Sequence, residues 1–352
     1  MKTEKDYIIV GQGLTGTLLA HALLEKGKTI HVFDNHHKGA SSTVAAGIIN
    51  PVTGRRFVKS WKIDELIPFA KKRYQELEVL LGAKFYYPKN VLRVFFSAKD
   101  ENTWLEKTGA PHLEKYVLET DDLGAFEGKI KTGVGIGEIQ KSAQMDMPLL
   151  LKKSKAYFLN KKIINVEPFD YQQVKMGDGV VFYKNIKAKK IIFCEGQQGR
   201  NNPWFGHLPF EVAKGEVLLI KIPDANFDKM LKHKLFVVPL PDGLYWVGST
   251  YDWNSTDDLP TEKAKLNLIE KLNKILTVPY EIIDHQSAIR PTTFDRRPFL
   301  GLHPQYDCLA IVNGMGTKGT SLAPYFVQEF VDFLLEGKMI NKEADAFRKQ
   351  VY

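Results

Sequence analysis

The chain has 352 residues, of which 44% are hydrophobic and 26% are charged, and its formal net charge is +8. This length is sufficient for two domains with cores of their own, and the composition is that of an ordinary globular protein. No run approaches the roughly 18 apolar residues of a membrane span and no apolar signal segment precedes the first strand, so we expect neither insertion nor export and favour the cytoplasm.

Residues 7–34 predict a strand, a glycine turn, a helix and a second strand. An apolar run at 8–10 is typical of a buried parallel strand, and Gly11, Gly13 and Gly16 follow it as G-x-G-x-x-G. The first glycine permits a tight turn, the second lets backbone approach a pyrophosphate, and the third lets the helix pack on the strand. The segment therefore predicts a dinucleotide site. A glycine turn in an unrelated α/β protein is the alternative.

The helix and the second strand add two features that favour a dinucleotide. A helix over residues 14–26 offers free N–H groups and a positive dipole end to phosphate. Asp34 follows a strand over residues 29–33 and lies 23 positions after Gly11, where a carboxylate can bind the adenosine ribose hydroxyls. The motif alone does not distinguish FAD from NAD.

Residues 35–56 are rich in small side chains and have no long amphipathic pattern. Such a segment is typical of backbone that lies against a flat ligand. Ser41, Ser42 and Thr43 are candidate donors to phosphate or ribose. A long surface loop is the alternative, which the apolar stretch at 45–49 disfavours.

The remaining chain alternates strand and helix signals without repeats or low-complexity linkers. Helices are predicted at residues 63–81, 102–107, 147–159, 261–276 and 321–335. Strands are predicted within 85–96 and at 162–168, 180–183, 189–199 with its glycine turn, 215–222, 235–240, 244–249, 281–290 and 309–312. Pro241, Asp242 and Gly243 indicate a hairpin turn, and Thr261 is a candidate helix cap.

Lysines occur in short runs at 71–74, 152–155, 160–162 and 187–190. A solvated surface is the favoured interpretation, and a face that attracts phosphate, including RNA, is the alternative. The runs are not interleaved with aromatic residues as in many nucleic-acid-binding segments.

Cys194 and Cys308 have no metal or redox spacing, so no metal site is predicted. Cys194 ends an apolar run and is expected to be buried, and a reducing cytosol is the simplest setting for both thiols.

Five motifs occur along the chain. They are GQGLTG with Asp34, SSTVAAGIINP at 41–51, AKKIIFCEG at 188–196 with KGEVL at 214–218, VVPLPDGLYWVGSTY at 237–251, and IRPTTFDRRPFLG at 289–301 with NGMGTKGTSLAP at 313–324. In this order they resemble the D-amino-acid oxidase family of FAD-dependent oxidoreductases, especially its glycine oxidase and sarcosine oxidase branch. The resemblance covers most of the chain, is weakest at 61–140, and implies FAD rather than NAD.

The resemblance implies an α/β fold, α+β in part. A Rossmann-like FAD-binding domain would be interleaved with a substrate domain built on a mixed or antiparallel sheet. The expected FAD-binding domain comprises residues 1–60, 141–213 and 286–352. The expected substrate-binding domain comprises residues 61–140 and 214–285.

The resemblance also implies FAD contacts, most of them within these motifs. They are Gly11, Gly13, Leu14, Thr15, Gly16, Asp34, Asn35, Ser41, Ser42, Thr43, Ala46, Gly47, Val166, Glu195, Gly196, Gly199, Arg290, Gly314, Met315, Gly316, Thr317, Lys318, Gly319 and Thr320. The second glycine cluster follows a strand and precedes a helix, so its N–H groups can face the flavin edge where negative charge grows on reduction. Lys318 adds positive charge there or is a solvated surface lysine. The segment 289–301 holds no cysteine of the sarcosine oxidase type, so noncovalent FAD is expected.

Arg290 is the predicted substrate-binding residue, at a position that resembles the family's carboxylate-binding arginine. A guanidinium donates two parallel hydrogen bonds to a carboxylate and keeps its charge. A structural ion pair with Asp295 is the alternative. Tyr251 and Ile48 fall where related enzymes line the substrate pocket. For Tyr251, a hydrogen bond to the substrate and a place in the core are both open.

The reaction implied by the resemblance is oxidation of the C–N bond of a small amine carboxylate, such as glycine, an N-alkylglycine or a D-amino acid. A hydride passes to flavin N5, the imine is hydrolysed, and molecular oxygen is a candidate acceptor.

Residues 248–258 and the last two motifs also resemble the oxidoreductase domain of the bifunctional tRNA wobble-uridine modification enzyme, which cleaves a carboxymethylaminomethyl group. A free amine is favoured over tRNA, because the companion methyltransferase domain is not in this sequence and the lysines are dispersed. An NAD-type dehydrogenase or a non-catalytic nucleotide-binding module is the further alternative.

Overall fold

The computed structural model describes residues 3–37, 39–54, 56–255 and 257–348. The described part leaves out residues 38 and 55 of the predicted loop and residue 256 of the segment 248–258. It also leaves out residues 1–2 and 349–352 of the expected FAD-binding domain. The strands are β1 (Thr3–Val10), β2 (Ile30–Asp34), β3 (Ile48–Ile49), β4 (Val52–Thr53), β5 (Val58–Lys59), β6 (Tyr86–Pro88), β7 (Val91–Phe95), β8 (Val117–Glu119), β9 (Gly135–Ile139), β10 (Ala143–Met145), β11 (Ile164–Val166), β12 (Lys175–Gly177), β13 (Val180–Tyr183), β14 (Ile186–Phe193), β15 (Ala213–Lys221), β16 (Met230–Lys232), β17 (Phe236–Pro239), β18 (Leu244–Gly248), β19 (Glu281–Arg290), β20 (Phe299–Leu302) and β21 (Leu309–Asn313). The helices are α1 (Leu14–Glu25), α2 (Ser41–Val44), α3 (Ile63–Leu81), α4 (Ala98–Thr108), α5 (Met147–Asn160), α6 (Glu262–Asn273) and α7 (Gly319–Glu336).

The first sheet has a parallel centre, in the order β11-β2-β1-β14-β21. Its strands are buried on both faces, which explains their continuous apolar runs. Helices α1 and α7 pack together over one face. An aromatic cluster that includes Phe33, Tyr183, Phe193 and Phe205 covers the other. The antiparallel strand β20 and the hairpin β12–β13 complete this sheet.

The second sheet has the order β19-β15-β18-β17-β16-β7-β9-β8, and only the pair β16–β7 is parallel. Helix α6 covers one face, where Leu268 and Leu272 pack against Leu218 and Ile220. Thr261 caps α6 as expected, because its hydroxyl accepts the Ala264 N–H. The opposite face of the sheet is directed towards the first sheet. A parallel α/β layer beside a mixed, mostly antiparallel sheet confirms the predicted fold class.

Helix α3 connects the layers more closely than the expected domain division implies. Its bounds match the prediction, and Gly82 ends it at a φ of +59°, a left-handed conformation that suits glycine. Its buried face packs on α7, and the Tyr74 hydroxyl donates to the Thr320 carbonyl at 2.8 Å. The division into two domains stays a prediction, and α3, assigned there to the substrate part, lies against a helix of the first sheet.

Several element bounds differ from the predictions: β14 begins at Ile186 rather than at 189, and α6 ends at Asn273 rather than at 276. Helix α4 begins four residues earlier than the predicted 102–107, because the Ser97 hydroxyl caps it by accepting the Asp100 N–H. Strand β11 is shorter than the predicted 162–168. Among the described residues, no helix combines the length and apolarity needed to cross a membrane, and no three His, Cys, Asp or Glu side chains are grouped as metal ligands.

Candidate active site

A cavity of about 2330 Å³ lies between the two sheets. Ligand pockets usually measure about 300–1000 Å³, so this cavity can hold a dinucleotide together with a second molecule. Among the described residues, twelve Lys or Arg and three Asp or Glu line it. That excess of positive charge favours anionic ligands.

The first wall of the cavity is the glycine turn between β1 and α1. Gly11 has a φ of +98°, and a Cβ there would lie 2.6 Å from the Cys194 carbonyl oxygen. A Cβ on Gly16 would lie 1.8 Å from the Gly11 carbonyl oxygen, so α1 packs on β1 without a side chain between them. Only glycine permits this geometry, which brings the N-terminus of α1 to the cavity and fits a pyrophosphate. Ser42 Oγ accepts the Leu14 N–H at 3.1 Å and so links α2 to this turn.

Asp34 lies beside the glycine turn with its carboxylate held in one orientation. Oδ2 accepts the Gln12 N–H and Oδ1 accepts the His36 N–H, both at 2.7 Å. Each oxygen keeps a lone pair, because a carboxylate has about four acceptor positions. The arrangement fits ribose hydroxyl donors from the cavity.

The second glycine cluster follows β21 on the far side of the cavity. Gly314 and Gly316 have φ values of +76° and +55°, and the chain then enters α7. The first N–H groups of α7 have no acceptor within the helix, and residues 315–320 line the cavity. This backbone fits the electron-rich edge of a flavin ring.

Lys318 is not the solvated lysine of the alternative interpretation. Its ammonium group donates to Thr53 Oγ1 at 3.4 Å and to Ser60 Oγ at 3.1 Å. Burial lowers the pKa of Lys318, and the nearby Arg296 and Arg297 lower it further. No carboxylate among the described residues forms an ion pair with Lys318, whose side chain lines the cavity.

Arg290 ends β19 with one side of its guanidinium engaged and the other unpaired. Nη2 donates to Ser249 Oγ at 2.6 Å and to the Thr250 carbonyl at 3.1 Å. Nη1 is buried and has no hydrogen-bond partner among the described residues. The alternative ion pair is wrong, because Asp295 pairs with Arg348 at 2.7 Å.

Tyr251 and Ile48 both line the cavity. The Tyr251 ring lies 4.3 Å from the Arg290 guanidinium and is 57% exposed, so the core interpretation of Tyr251 is wrong. The Ile48 carbonyl accepts the Thr320 hydroxyl at 2.8 Å, which fixes that strand beside α7. Indole Nε1 of Trp246 donates to the Val44 carbonyl at 2.8 Å and joins the two walls.

Most of the predicted cofactor residues line the cavity. They are Gly11, Gly13, Leu14, Thr15, Asp34, Asn35, Ser41, Ser42, Thr43, Ala46, Gly47, Glu195, Gly196, Arg290, Met315, Gly316, Thr317, Lys318, Gly319 and Thr320. Gly16, Gly199 and Gly314 lie behind the lining, where each allows a close packing contact. Val166 pairs with Asp34 in the sheet, but its side chain is largely exposed and does not reach the cavity.

Several lining residues were not predicted from the sequence. They are Gln12, His36, Arg93, Lys152, Lys155, Lys232, Lys234, Phe236, Trp246 and Lys271. Strand alternation in the motif 237–251 places Trp246 on the same face as Gly248 and could have identified it. The cations come from distant segments, and no local signal joins them. Of the lysine runs, only 152–155 reaches the cavity.

Glu195 borders the cavity with both carboxyl oxygens bonded. The Tyr171 hydroxyl donates at 2.5 Å and Asn202 Nδ2 donates at 2.8 Å. Burial raises the pKa of Glu195 to about 7, although these two hydrogen bonds oppose the change. These two hydrogen bonds hold the side chain against the turn after β14, at the border of the cavity.

Comparison with known proteins agrees with this geometry. A family model described as FAD dependent oxidoreductase (DAO) matches residues 6–332. The glycine oxidase of Bacillus licheniformis is 23% identical over 99% of this chain and 98% of its own length. The bifunctional protein MnmC of Marinobacter nauticus, named for tRNA 5-methylaminomethyl-2-thiouridine biosynthesis, is 20% identical over 92% of this chain and 54% of its own length.

A solved structure shows the same fold. The glycine oxidase of Geobacillus kaustophilus superposes with a TM-score of 0.79 over 96% of both chains, at 19% identity. At this identity the likeness concerns the fold alone.

We expect Asp34→Ala to lower FAD affinity by about tenfold or more, because the ribose would lose charge-assisted hydrogen bonds of about 1.5–3 kcal/mol. Equilibrium dialysis measures the affinity, and the absorbance of flavin released on denaturation tests noncovalent attachment. Asp121→Ala, at an exposed position, is the control. Unchanged affinity would refute the ribose role of Asp34, and flavin that stays with the denatured chain would refute noncovalent binding.

We expect Glu195→Gln to remove a pH dependence of stability. The unfolded carboxyl loses its proton near the ordinary pKa of 4.5, whereas the folded one keeps it to about 7. The folded state therefore binds more protons between these values, and wild-type stability should fall relative to the variant as pH rises through them. Between these pH values, the free energy of unfolding of wild type should fall by on the order of 1–3 kcal/mol more than that of the variant.

Urea unfolding of FAD-free protein at pH 5 and pH 8 measures this difference. Glu114→Gln, at an exposed position, should follow the wild type. Parallel pH profiles for wild type and Glu195→Gln would contradict the raised pKa.

Proposed function

Because the chain belongs to the family of FAD-dependent oxidoreductases, we propose that it oxidises the C–N bond of a small amine that bears a carboxylate, such as glycine, an N-alkylglycine or a D-amino acid. The observation that carries the proposal is the buried, unpaired Nη1 of Arg290 in the cavity lining. An unpaired charged donor is costly when buried, and a substrate carboxylate would satisfy it.

The surroundings of Arg290 leave one orientation for such a carboxylate. Ser249 and Thr250 engage Nη2, so the remaining donors are left for the substrate. A Cβ on Gly215 would lie 1.8 Å from Nη2, so only glycine leaves room for the guanidinium. The Tyr251 ring covers the guanidinium and limits the approach of water. Fixed orientation of a bound substrate contributes several kcal/mol to catalysis.

Bound FAD supplies the acceptor for the hydride that leaves the amine-bearing carbon, and the imine product hydrolyses in water. The backbone N–H groups of residues 314–319 and the ammonium group of Lys318 would stabilise negative charge at the ring edge. We propose noncovalent FAD, because the segment 289–301 contains no cysteine, and molecular oxygen as acceptor.

A carboxymethylaminomethyl group on a tRNA wobble uridine is the second candidate substrate. The specific observation in its favour is the row of cations at the cavity, which includes Lys232, Lys234 and Lys271. The group is itself an N-substituted glycine, so Arg290 would bind it in the same way. A free amine ranks first because the lysine runs are dispersed and, of these runs, only 152–155 reaches the cavity.

We expect Arg290→Lys to lower kcat/KM for amine carboxylates by about a hundredfold or more, because the ammonium cannot replace the planar pair of donors. A panel of amines with and without a carboxylate, scored by anaerobic bleaching of the flavin, measures the effect. Gly215→Ala should act in the same direction by displacing Arg290, and Gly177→Ala, at an exposed glycine of β12 with open space around it, is the control. Equal bleaching by acids and by amines without a carboxylate would refute the role of Arg290.

We expect unfractionated tRNA to bind weakly, with no bleaching of the flavin. If RNA were the substrate, about six phosphate contacts would lower affinity on the order of a thousandfold between about 50 and 200 mM salt. A carboxylate held by a desolvated arginine is screened far less. Filter binding at the two salt concentrations distinguishes an RNA substrate from a free amine. Tight, salt-sensitive binding of tRNA that also bleaches the flavin would place tRNA above the free amine as the proposed substrate.

A further inference from the structure

Two like charges face the cavity side by side on the second sheet. Arg93 lies on β7 and Lys232 on β16, and the two residues are direct partners in the parallel pair. Paired residues project from the same face of a sheet, and both side chains line the cavity. Like charges at opposed positions are destabilising. The pair therefore raises the question of what balances it.

Neither side chain forms an ion pair with a carboxylate of the described residues, and Asp100, which also lines the cavity, attracts Arg93 without such a pair. The Arg93 guanidinium lies 4.6 Å from the Phe57 ring centroid and forms no hydrogen bond in the described chain. Lys232 Nζ lies 4.3 Å from the Phe236 ring centroid and donates only to the Lys234 carbonyl, at 3.4 Å. Burial lowers the pKa of Arg93 to about 10. Burial also lowers the pKa of Lys232, to about 7, and repulsion by Arg93 and Lys271 contributes to this lowering.

The pair lies on the same continuous surface as Arg290. Going across the sheet from β19, β16 is the fourth strand and β7 the fifth. At about 4.8 Å per strand, the charges of the two sites stand on the order of 20 Å apart. Trp246 and Phe236 line the cavity between them. This distance is far beyond the length of glycine.

FAD leaves the pair available. Its negative charge is on the pyrophosphate, and the turn at Gly11 and Gly13 on the other sheet fits that group. Charges on the second sheet are thus left for whatever shares the cavity with FAD.

We propose that Arg93 and Lys232 bind a second anionic group, a phosphate or a carboxylate, at the end of the substrate distant from Arg290. This inference rests on the proposed function, because Arg290 holds the first carboxylate. It identifies the substrate class as elongated N-substituted glycines with an acidic terminus. A guanidinium beside an ammonium suits such a group, since one supplies paired donors and the other a compact charge.

The test uses the holoenzyme and compares Arg93→Gln/Lys232→Gln with Lys221→Gln, a loss of charge at an exposed position. The substrates are N-alkylglycines of increasing length that end in a phosphonate or, as the neutral match, in a hydroxyl. We expect kcat/KM of wild type to be at least about tenfold higher for the phosphonate at the matching length, which equals about 1.4 kcal/mol. The phosphonate ratio is kcat/KM for the phosphonate divided by kcat/KM for the matched hydroxyl compound. This ratio should approach one in the double variant and should stay as high as in wild type in Lys221→Gln.

Inorganic phosphate provides a readout that does not depend on turnover. It should raise the Tm of wild type and of Lys221→Gln more than that of the double variant, since an anion that binds the folded state stabilises it. If no amine reduced the flavin, the proposed function would fail, and this shift would still decide whether the anion site exists.

Filter binding of tRNA identifies the source of the anion. Weaker tRNA binding by the double variant alone, without a change in the phosphonate ratio, would assign the site to a nucleic acid phosphate. A lower phosphonate ratio would assign it to a small acidic amine. The proposal is overturned if the ratio, the phosphate shift and tRNA binding are the same in the double variant and in Lys221→Gln.

Discussion

Direct contact between backbone atoms at Gly11, Gly16 and Cys194 is the constraint on which the other features depend. At these points a helix, the central strand and its neighbour approach so closely that a single Cβ would overlap carbonyl oxygen. The contact brings α1 onto β1 and sets β14 at its side. It thereby determines where the N-terminus of α1 meets the cavity, and from that the direction in which a dinucleotide would extend towards the second glycine cluster.

The two walls of the cavity contribute different chemistry. The first sheet offers mainly backbone N–H groups and close glycines, which suit a ligand that is the same in every turnover. The second sheet offers side chains, with Arg290 at one end, aromatic rings in the middle and cations beyond them. Specificity thus depends on strands whose outward residues can change without disturbing the cofactor cradle. The excess of cations over carboxylates means that the folded chain gains stability from any anion that occupies the cavity.

Local signals predicted much of the fold, and long-range pairing could not be predicted in the same way. The prediction of α3 used Gly82 as its end and matches the observed bounds, and the glycine turn gave the start of α1. Asp34 and Arg290 were identified because each has a fixed relation to a motif in the chain. Arg93 and Lys232 are 139 positions apart, and only the pairing of β7 with β16 brings them together. The three rejected alternatives, for Arg290, Tyr251 and Lys318, likewise depended on partners that composition does not reveal.

The order in which the strands are made has a consequence for biosynthesis. Residues 11–185 separate the central strand β1 from its neighbour β14, and residues 194–308 separate β14 from β21, so β1 has only β2 beside it until β14 has been made. A nascent chain therefore exposes an apolar strand with one partner until then, which is a condition that favours chaperone binding. Because the second glycine cluster follows β21, the two glycine-rich parts of the predicted cofactor site are both present only after β21 has been made. A chain cut short before the second glycine cluster would therefore contain the turn that fits a pyrophosphate but not the backbone that fits the flavin edge.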